Sequence, residues 1–247
     1  MSKLPKAPLQ EAIFELRWPL QPDATGRNLV DPEYEFALGK FEGALKDSFP
    51  FRMAKFPSEM PHRILNYQAT HQFWKAEGLW PVVQLGPGIA TVNDNEQNYE
   101  WEGTYLPNIE KTLSALKKSY NQLKFNSLSL RYIDVVRVAD YGFTNWREFI
   151  NENINFQFNN QFDTRGELTG LNFEQSFKLN ELGYLNISFT SGQNNKREDI
   201  FIWQTAVSKQ GIVAEKDVLP WLEGAHDCTS ALFKEICKKE FYGSFST

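Results

Sequence analysis

The same run of elements is written twice along this chain, and that duplication limits its fold more than any other feature. Each half reads strand, helix, three strands, long helix. The opening strands begin near Glu11 and Ser127, and the long helices begin near Glu102 and Asp217. Each restart therefore follows its counterpart by about 115 residues. A chain repeating a β-α-β-β-β-α unit in this way suits one wide, curved, mainly antiparallel sheet. The long helices then cover one face and leave the other to a partner.

The individual elements follow from periodicity and punctuation. In Glu11–Trp18, Ala12, Phe14, Leu16 and Trp18 share one face, the alternation of a half-buried strand. Pro19, Pro22 and Gly26 end it. Asp31-Pro32 reads as an N-cap and first helical residue, ahead of a stripe of Phe36, Ala37, Phe41, Ala44 and Leu45. Strands are expected near Arg63–Thr70, Gln72–Ala76, Pro81–Leu85 and Ile89–Asn93, the last two joined by a Gly86-Pro87-Gly88 turn. A helix from about Glu102 to Tyr120 closes the half.

The second half opens with a strand over Ser127–Ala139 and a short helix over Asn145–Asn151. Leu168–Leu179 and Leu182–Ser191 form a hairpin around Asn180-Glu181, and Asp199–Ser208 returns as a third strand. The closing helix runs from Asp217 to Phe241 as one piece, with Gly243 at its C-terminal end. Residues 151–166, rich in Asn and Phe, read as a long loop or an irregular edge. The short polar stretch Gln122–Asn126 is no linker. The expectation is a single domain over 1–247 with two lobes, 1–122 and 123–247.

Composition excludes several classes. A chain with 41% hydrophobic and 15% aromatic residues has the material for a folded core. A net charge of −5 argues against whole-surface attraction to nucleic acid, though not against a local basic patch. The opening Met1-Ser2-Lys3-Leu4-Pro5-Lys6 lacks the apolar run of a signal peptide, and no stretch is long enough to span a bilayer. Cys228 and Cys237 lie nine residues apart on one helix, about half a turn out of phase, so they point apart and do not pair. A reducing, cytoplasmic setting is expected.

Chemical motifs are sparse. Gly86-Pro87-Gly88 joins strands and does not precede a helix, so it fails as a phosphate loop. There is no Gly-x-Ser-x-Gly elbow. Of the three histidines, His62, His71 and His226, the last lies two residues from Cys228 and cannot share a helix face with it. It reads as a half-buried packing residue. No catalytic residue, metal or cofactor is assigned.

Binding candidates lie on strand faces. Arg131, Ile133, Val135 and Arg137 share one face, while Asp134 stands in the apolar row of Leu130, Tyr132, Val136 and Val138. A charge buried there needs a partner, for which an arginine on a neighbouring strand would serve. Glu174 and Lys178, with Asn172 and Ser176, form a row too polar for a core, as do Tyr184, Asn186, Ser188 and Thr190 on the next strand. Trp203 falls with Phe201 on one face, in the core or free to stack a base.

Several local signatures occur in one order: Leu4-x-x-x-Pro8 with Glu11-Ala12; Val83-Gln84-Leu85-Gly86-Pro87 followed by Asn93; Tyr99-x-Trp101; Leu130-Arg131-Tyr132-Ile133-Asp134; and His226 with Phe233. In these the chain resembles an uncharacterised, sporadically distributed family of prokaryotic hypothetical proteins with no assigned activity. A patchy distribution suits an accessory or genome-defence system. The order of elements also resembles the TATA-binding-protein-like fold, with helix-grip folds as the runner-up.

The resulting expectation is an α+β, non-enzymatic binding protein that engages a protein partner, a second copy or a small polar ligand through an open sheet face. The alternatives are nucleic-acid binding through Arg131, Arg137, Lys178 and Trp203, and an enzyme, a nuclease or hydrolase, built on dispersed carboxylates such as Asp134 and Glu174.

Overall fold

The computed structural model describes residues 4–57, 59–61, 64–157, 161–163 and 165–246. Within them the protein is α+β, with a nine-stranded, mainly antiparallel sheet, a two-stranded ribbon and five α-helices. In chain order the elements are β1 (Leu9–Arg17), β2 (Gln21–Pro22), β3 (Leu29–Val30), α1 (Tyr34–Leu45), β4 (Phe51–Ala54) and β5 (His71–Trp74). Then come β6 (Val82–Gly86), β7 (Ile89–Asp94), α2 (Leu106–Ser119), β8 (Phe125–Arg137), α3 (Trp146–Asn153) and β9 (Asn172–Leu179). The chain finishes with β10 (Gly183–Gln193), β11 (Asp199–Val213), α4 (Glu215–Ile236) and α5 (Lys239–Ser244). The sheet order is β4-β5-β6-β7-β1-β8-β11-β10-β9, with β2 and β3 forming the ribbon.

Two compact units divide the chain. The first takes Glu11–Leu130 and Ser208–Leu222; the second takes Leu4–Gln10, Arg131–Val207 and the chain from Glu223 onward. The expected lobe boundary between Gln122 and Leu123 falls inside the first unit.

In the first unit, Ala12, Phe14, Leu16 and Trp18 of the opening strand segment are all buried, as their alternation requires. α2 packs on α1 and on β7. Phe41 of α1 meets Phe73 of β5 edge to face, with ring centroids 5.4 Å apart. The hydroxyls of Thr112 and Ser119 on the buried side of α2 donate to the carbonyls of Asn108 and Ala115, so neither is left unsatisfied. The β6–β7 turn follows expectation, with Gly88 at φ +77°.

α1 begins at Tyr34 with Glu33 at its N-cap, two residues later than expected, while Asp31 Oδ1 still accepts from Glu33 N at 3.2 Å at the helix entry. Asp31 Oδ2 also accepts from the Trp18 indole at 2.9 Å, the Tyr120 phenol at 2.9 Å and the Gly88 amide at 3.1 Å. The carboxylate thus ties β1, the β6–β7 turn and the end of α2 together.

The expected strand over Arg63–Thr70 is also corrected. Arg63 lies outside the described residues. The chain up to Thr70 turns past the β6–β7 hairpin, with Tyr67 N donating to Pro87 O at 2.8 Å and Thr70 N to Leu85 O at 2.9 Å. Tyr67 sits at φ 58°, outside any strand geometry. The strand at this end of the sheet is β4, paired antiparallel to β5 with Phe51 opposite Trp74.

In the second unit an aromatic row crosses the sheet. Phe173, Phe189, Phe201 and Trp203 stack in sequence at centroid spacings of 6.4, 5.8 and 5.6 Å, and Phe233 of α4 continues the row at 6.2 Å. α3 starts where expected, Asn145 Oδ1 accepting from Glu148 N at 3.0 Å. The closing helix is broken. Cys237 bridges to Ile154, Asn155 N donates to Ile236 O and Lys238 N to Asn153 O, both at 2.8 Å, so those backbone groups leave the helical pattern. Gly243 consequently lies within α5 rather than beyond a helix end.

Candidate functional site

The hairpin of β9 and β10 carries the exposed polar row. Its register places Tyr184 opposite Lys178, Asn186 opposite Ser176, Ser188 opposite Glu174 and Thr190 opposite Asn172. These eight side chains share one face because strand side chains alternate. All are exposed or half-buried, Tyr184 at 46%. Among the described residues, none of the eight has a hydrogen-bond or ion-pair partner. The opposite face of the hairpin packs through Phe173, Leu185, Ile187 and Phe189, with Phe156 4.7 Å from both Phe173 and Phe189.

Four of the sequence-derived candidates, Glu174, Lys178, Tyr184 and Asn186, therefore meet on one surface. Arg131 is half-buried and Arg137 exposed; alternation along β8 puts both on the face opposite Asp134. Arg137 is engaged, its Nε and a terminal nitrogen each 2.9 Å from Asp140 and its other nitrogen 3.7 Å from Glu198. Trp203 is fully buried between Phe201 and Phe233 and has no ring face open to a base.

Among the described residues Asp134 has no arginine partner. It is 3% exposed, and among the described residues it makes no hydrogen bond or ion pair. Removal from water pushes its carboxyl up to about 8, so the buried charge is avoided by holding the proton. Cys237, at the α4–α5 break, is pushed up to about 12 by burial and then by Asp134. A set of Asp134, Glu174 and Lys178 is not assembled: the first is buried, the other two are exposed, and β11 and β10 lie between their strands.

Sequence reasoning missed two networks in the first unit. Across β5, β6, β7 and β1, Gln72 Nε2 donates to Gln84 Oε1 at 3.0 Å, and Gln84 Nε2 to Thr91 Oγ1 at 3.1 Å and Asn93 Oδ1 at 3.2 Å. Thr91 Oγ1 donates to Asn93 Oδ1 at 2.6 Å, and Asn93 Nδ2 to Glu11 Oε1 at 2.7 Å. Glu11, Gln84 and Asn93, which stand far apart among the local signatures, meet here; their scatter through the sequence hid the contact. The ladder satisfies its own polar groups.

The second network centres on buried His71. Arg52 of β4 approaches Nε2 at 3.1 Å and Tyr34 approaches Nδ1 at 2.8 Å, while Tyr34 also lies 2.5 Å from Thr70 Oγ1. A guanidinium only donates, so Nε2 accepts and the ring is the neutral Nδ1–H tautomer. Nδ1–H then donates to Tyr34, Tyr34 to Thr70, and Thr70 to Leu85 O at 3.2 Å. Arg52 is anchored from outside by Glu42 at 2.6 Å. His226 is half-buried, with Nδ1 3.0 Å from the Tyr132 hydroxyl, and His62 lies outside the described residues.

Both cysteines are free. Among the described residues no group of three or more His, Cys, Asp or Glu is placed to hold a metal, and no helix is long and apolar enough to cross a membrane. No family model, curated protein or solved structure matches this chain.

Proposed function

We propose that this chain is a non-enzymatic binding protein that engages a protein partner through the exposed face of the β9–β10 hairpin. One observation carries the reading: eight polar side chains in register, none satisfied within the described residues. Two networks in the first unit do satisfy their polar groups internally, the Gln84–Asn93 ladder and the His71 relay. A row left open on an ordered, well-packed scaffold is what a partner can complete with its own donors and acceptors. The burial of Asp134 and Trp203 further favours binding over catalysis or base stacking.

The same proposal reads the sheet as two pseudo-repeats of the TATA-binding-protein-like kind. In support, the opening strand of each half lies beside the last strand of that half, β1 next to β7 and β8 next to β11. The accessory or genome-defence setting rests on the sequence resemblance alone.

The test is native mass spectrometry of the protein purified gently from its own host, beside a Tyr184→Ala/Asn186→Ala variant. A co-purifying protein lost from the variant at unchanged melting temperature is the expected result. A bare chain in both preparations, or a partner retained by the variant, would overturn the reading.

A further inference from the structure

β9 ends the sheet, and its outer edge has no neighbouring strand among the described residues. Leu171 and Ser191 bond through backbone and side chain, Ser191 N donating to Leu171 O at 2.9 Å and Leu171 N to Ser191 Oγ at 2.7 Å. Residue 171 thus faces β10, as do 173, 175, 177 and 179 by the two-residue alternation of an antiparallel ladder. The backbone N–H and C=O groups of Asn172, Glu174, Ser176 and Lys178 point outward, a row of unpaired donors and acceptors eight residues long.

We propose that β9 pairs antiparallel with β9 of a second copy about a two-fold axis at Ser176, making a homodimer through the sheet edge. The side-chain order selects that register. Two-fold pairing around Ser176 sets Glu174 of each copy opposite Lys178 of the other, twice, with all four residues in outward-facing, hydrogen-bonding positions. On the other face it sets Phe173 opposite Leu179, and Gln175 beside Phe177, which is 42% exposed in the single chain. Shifting the axis to position 174 would face Glu174 with itself, and shifting it to 178 would do the same to Lys178.

Within one chain, Glu174 and Lys178 cannot serve each other, because four residues of strand hold them about 13 Å apart. An isologous edge contact uses both charges, both copies of the exposed Phe177 and the unpaired backbone at once. It takes its backbone from the edge of β9 and only Glu174 and Lys178 from the hairpin face, so Tyr184, Asn186 and the rest of the β10 row stay open to a different protein.

Sedimentation velocity across a wide concentration range tests it. The wild type is expected to dimerise. Lys178→Glu and Glu174→Lys should each weaken the dimer by roughly tenfold or more, since each turns two attractions into repulsions. The Glu174→Lys/Lys178→Glu double swap should restore it, and an equimolar mixture of the two single variants should form heterodimers. Concentration-dependent protection from hydrogen exchange over residues 172–179 of the wild type gives a readout free of any folding defect in a variant. A wild type that stays monomeric, a dimer indifferent to the single swaps, a double swap that fails to restore it, or a β9 unprotected at high concentration would each overturn the proposal.

Discussion

Tyr120 donates its phenol hydrogen to Asp31 Oδ2 at 2.9 Å, joining residues 89 positions apart. Burial first, and the adjacent carboxylate next, push the phenol well above its ordinary range, so it remains a donor at any physiological pH. The same oxygen holds Trp18 and the Gly88 amide, so one carboxylate organises three donors from three elements. Tyr120→Phe should cost about 1–2 kcal/mol, the loss of one hydrogen bond to a charged acceptor. Asp31→Ala should cost about 3 kcal/mol or more, because it orphans four donors, the three on Oδ2 and Glu33 N on Oδ1. In urea unfolding, the double variant should be little worse than Asp31→Ala alone. Equal costs for the two single changes would show that Asp31 is not shared in this way.

Asp134 gives a pH signature of unusual sign for an acid. Its folded value, about 8, lies above its ordinary 3.8, so the folded state holds the proton more tightly than the unfolded chain. Its contribution to stability is therefore fully present below about pH 4, falls as pH rises toward 8, and levels off above that. The slope approaches about 1.4 kcal/mol per pH unit at most, and relaxation around the ionised group reduces it. Asp134→Asn should lack this slope, so its advantage over the wild type grows from about pH 5 to pH 8. Parallel melting curves across that range would refute the buried, protonated state.

The tautomer of His71 can be read directly. Nitrogen-15 NMR of the imidazole should show an unprotonated Nε2 and a protonated Nδ1, as acceptance from Arg52 and donation toward Tyr34 require. Thr70→Val removes the acceptor of Tyr34 while nearly conserving volume, and should cost about 1–2 kcal/mol. A protonated Nε2 would mean that Arg52 is not the group His71 faces.

Elements with strong internal periodicity were legible in the sequence. The alternation of β1 and the Gly86-Pro87-Gly88 turn both rest on local residue order. Phe51–Ala54 was not legible as β4, since four residues hold too few alternations to show a period. The break at Cys237 was invisible because it is made by Asn153–Asn155, some 80 residues earlier in the chain. Among the site residues, alternation correctly grouped Glu174 with Lys178 and Tyr184 with Asn186. It could not say that Asp134 lacks an arginine, because pairing across strands depends on register, and register is set by the whole sheet.

The division of the first unit bears on how the chain can be cut. That unit draws on Ser208–Leu222, and Lys117 of α2 meets Glu215 there at 3.1 Å, while Gln210 donates to Ser127 at 3.0 Å. A fragment ending at Gln122 lacks β8, the end of β11 and the start of α4. It should express poorly and melt without cooperativity, with β1 left as a bare edge. A soluble fragment 1–122 with a sharp calorimetric transition would show that the later segments are dispensable.

Two glycines make a matched test of packing against backbone freedom. A Cβ built on Gly86 would fall 1.8 Å from the Gln68 carbonyl oxygen and 2.8 Å from its carbon, backbone atoms that cannot swing aside as a side-chain tip can. The chain passes there because Tyr67 and Thr70 bond to the hairpin on either side of Gly86, so Gly86→Ala must break those bonds or displace the turn. A loss of about 3 kcal/mol or more is expected, in the range of severe backbone strain and lost buried hydrogen bonds. Gly43 lies inside α1 with nothing within 4 Å of its would-be Cβ. Gly43→Ala should therefore stabilise by about 0.5–1 kcal/mol through helix propensity and reduced unfolded-state entropy. Opposite shifts in the urea midpoint would support the close passage of Gln68 over Gly86; a Gly86→Ala protein as stable as the wild type would rule it out.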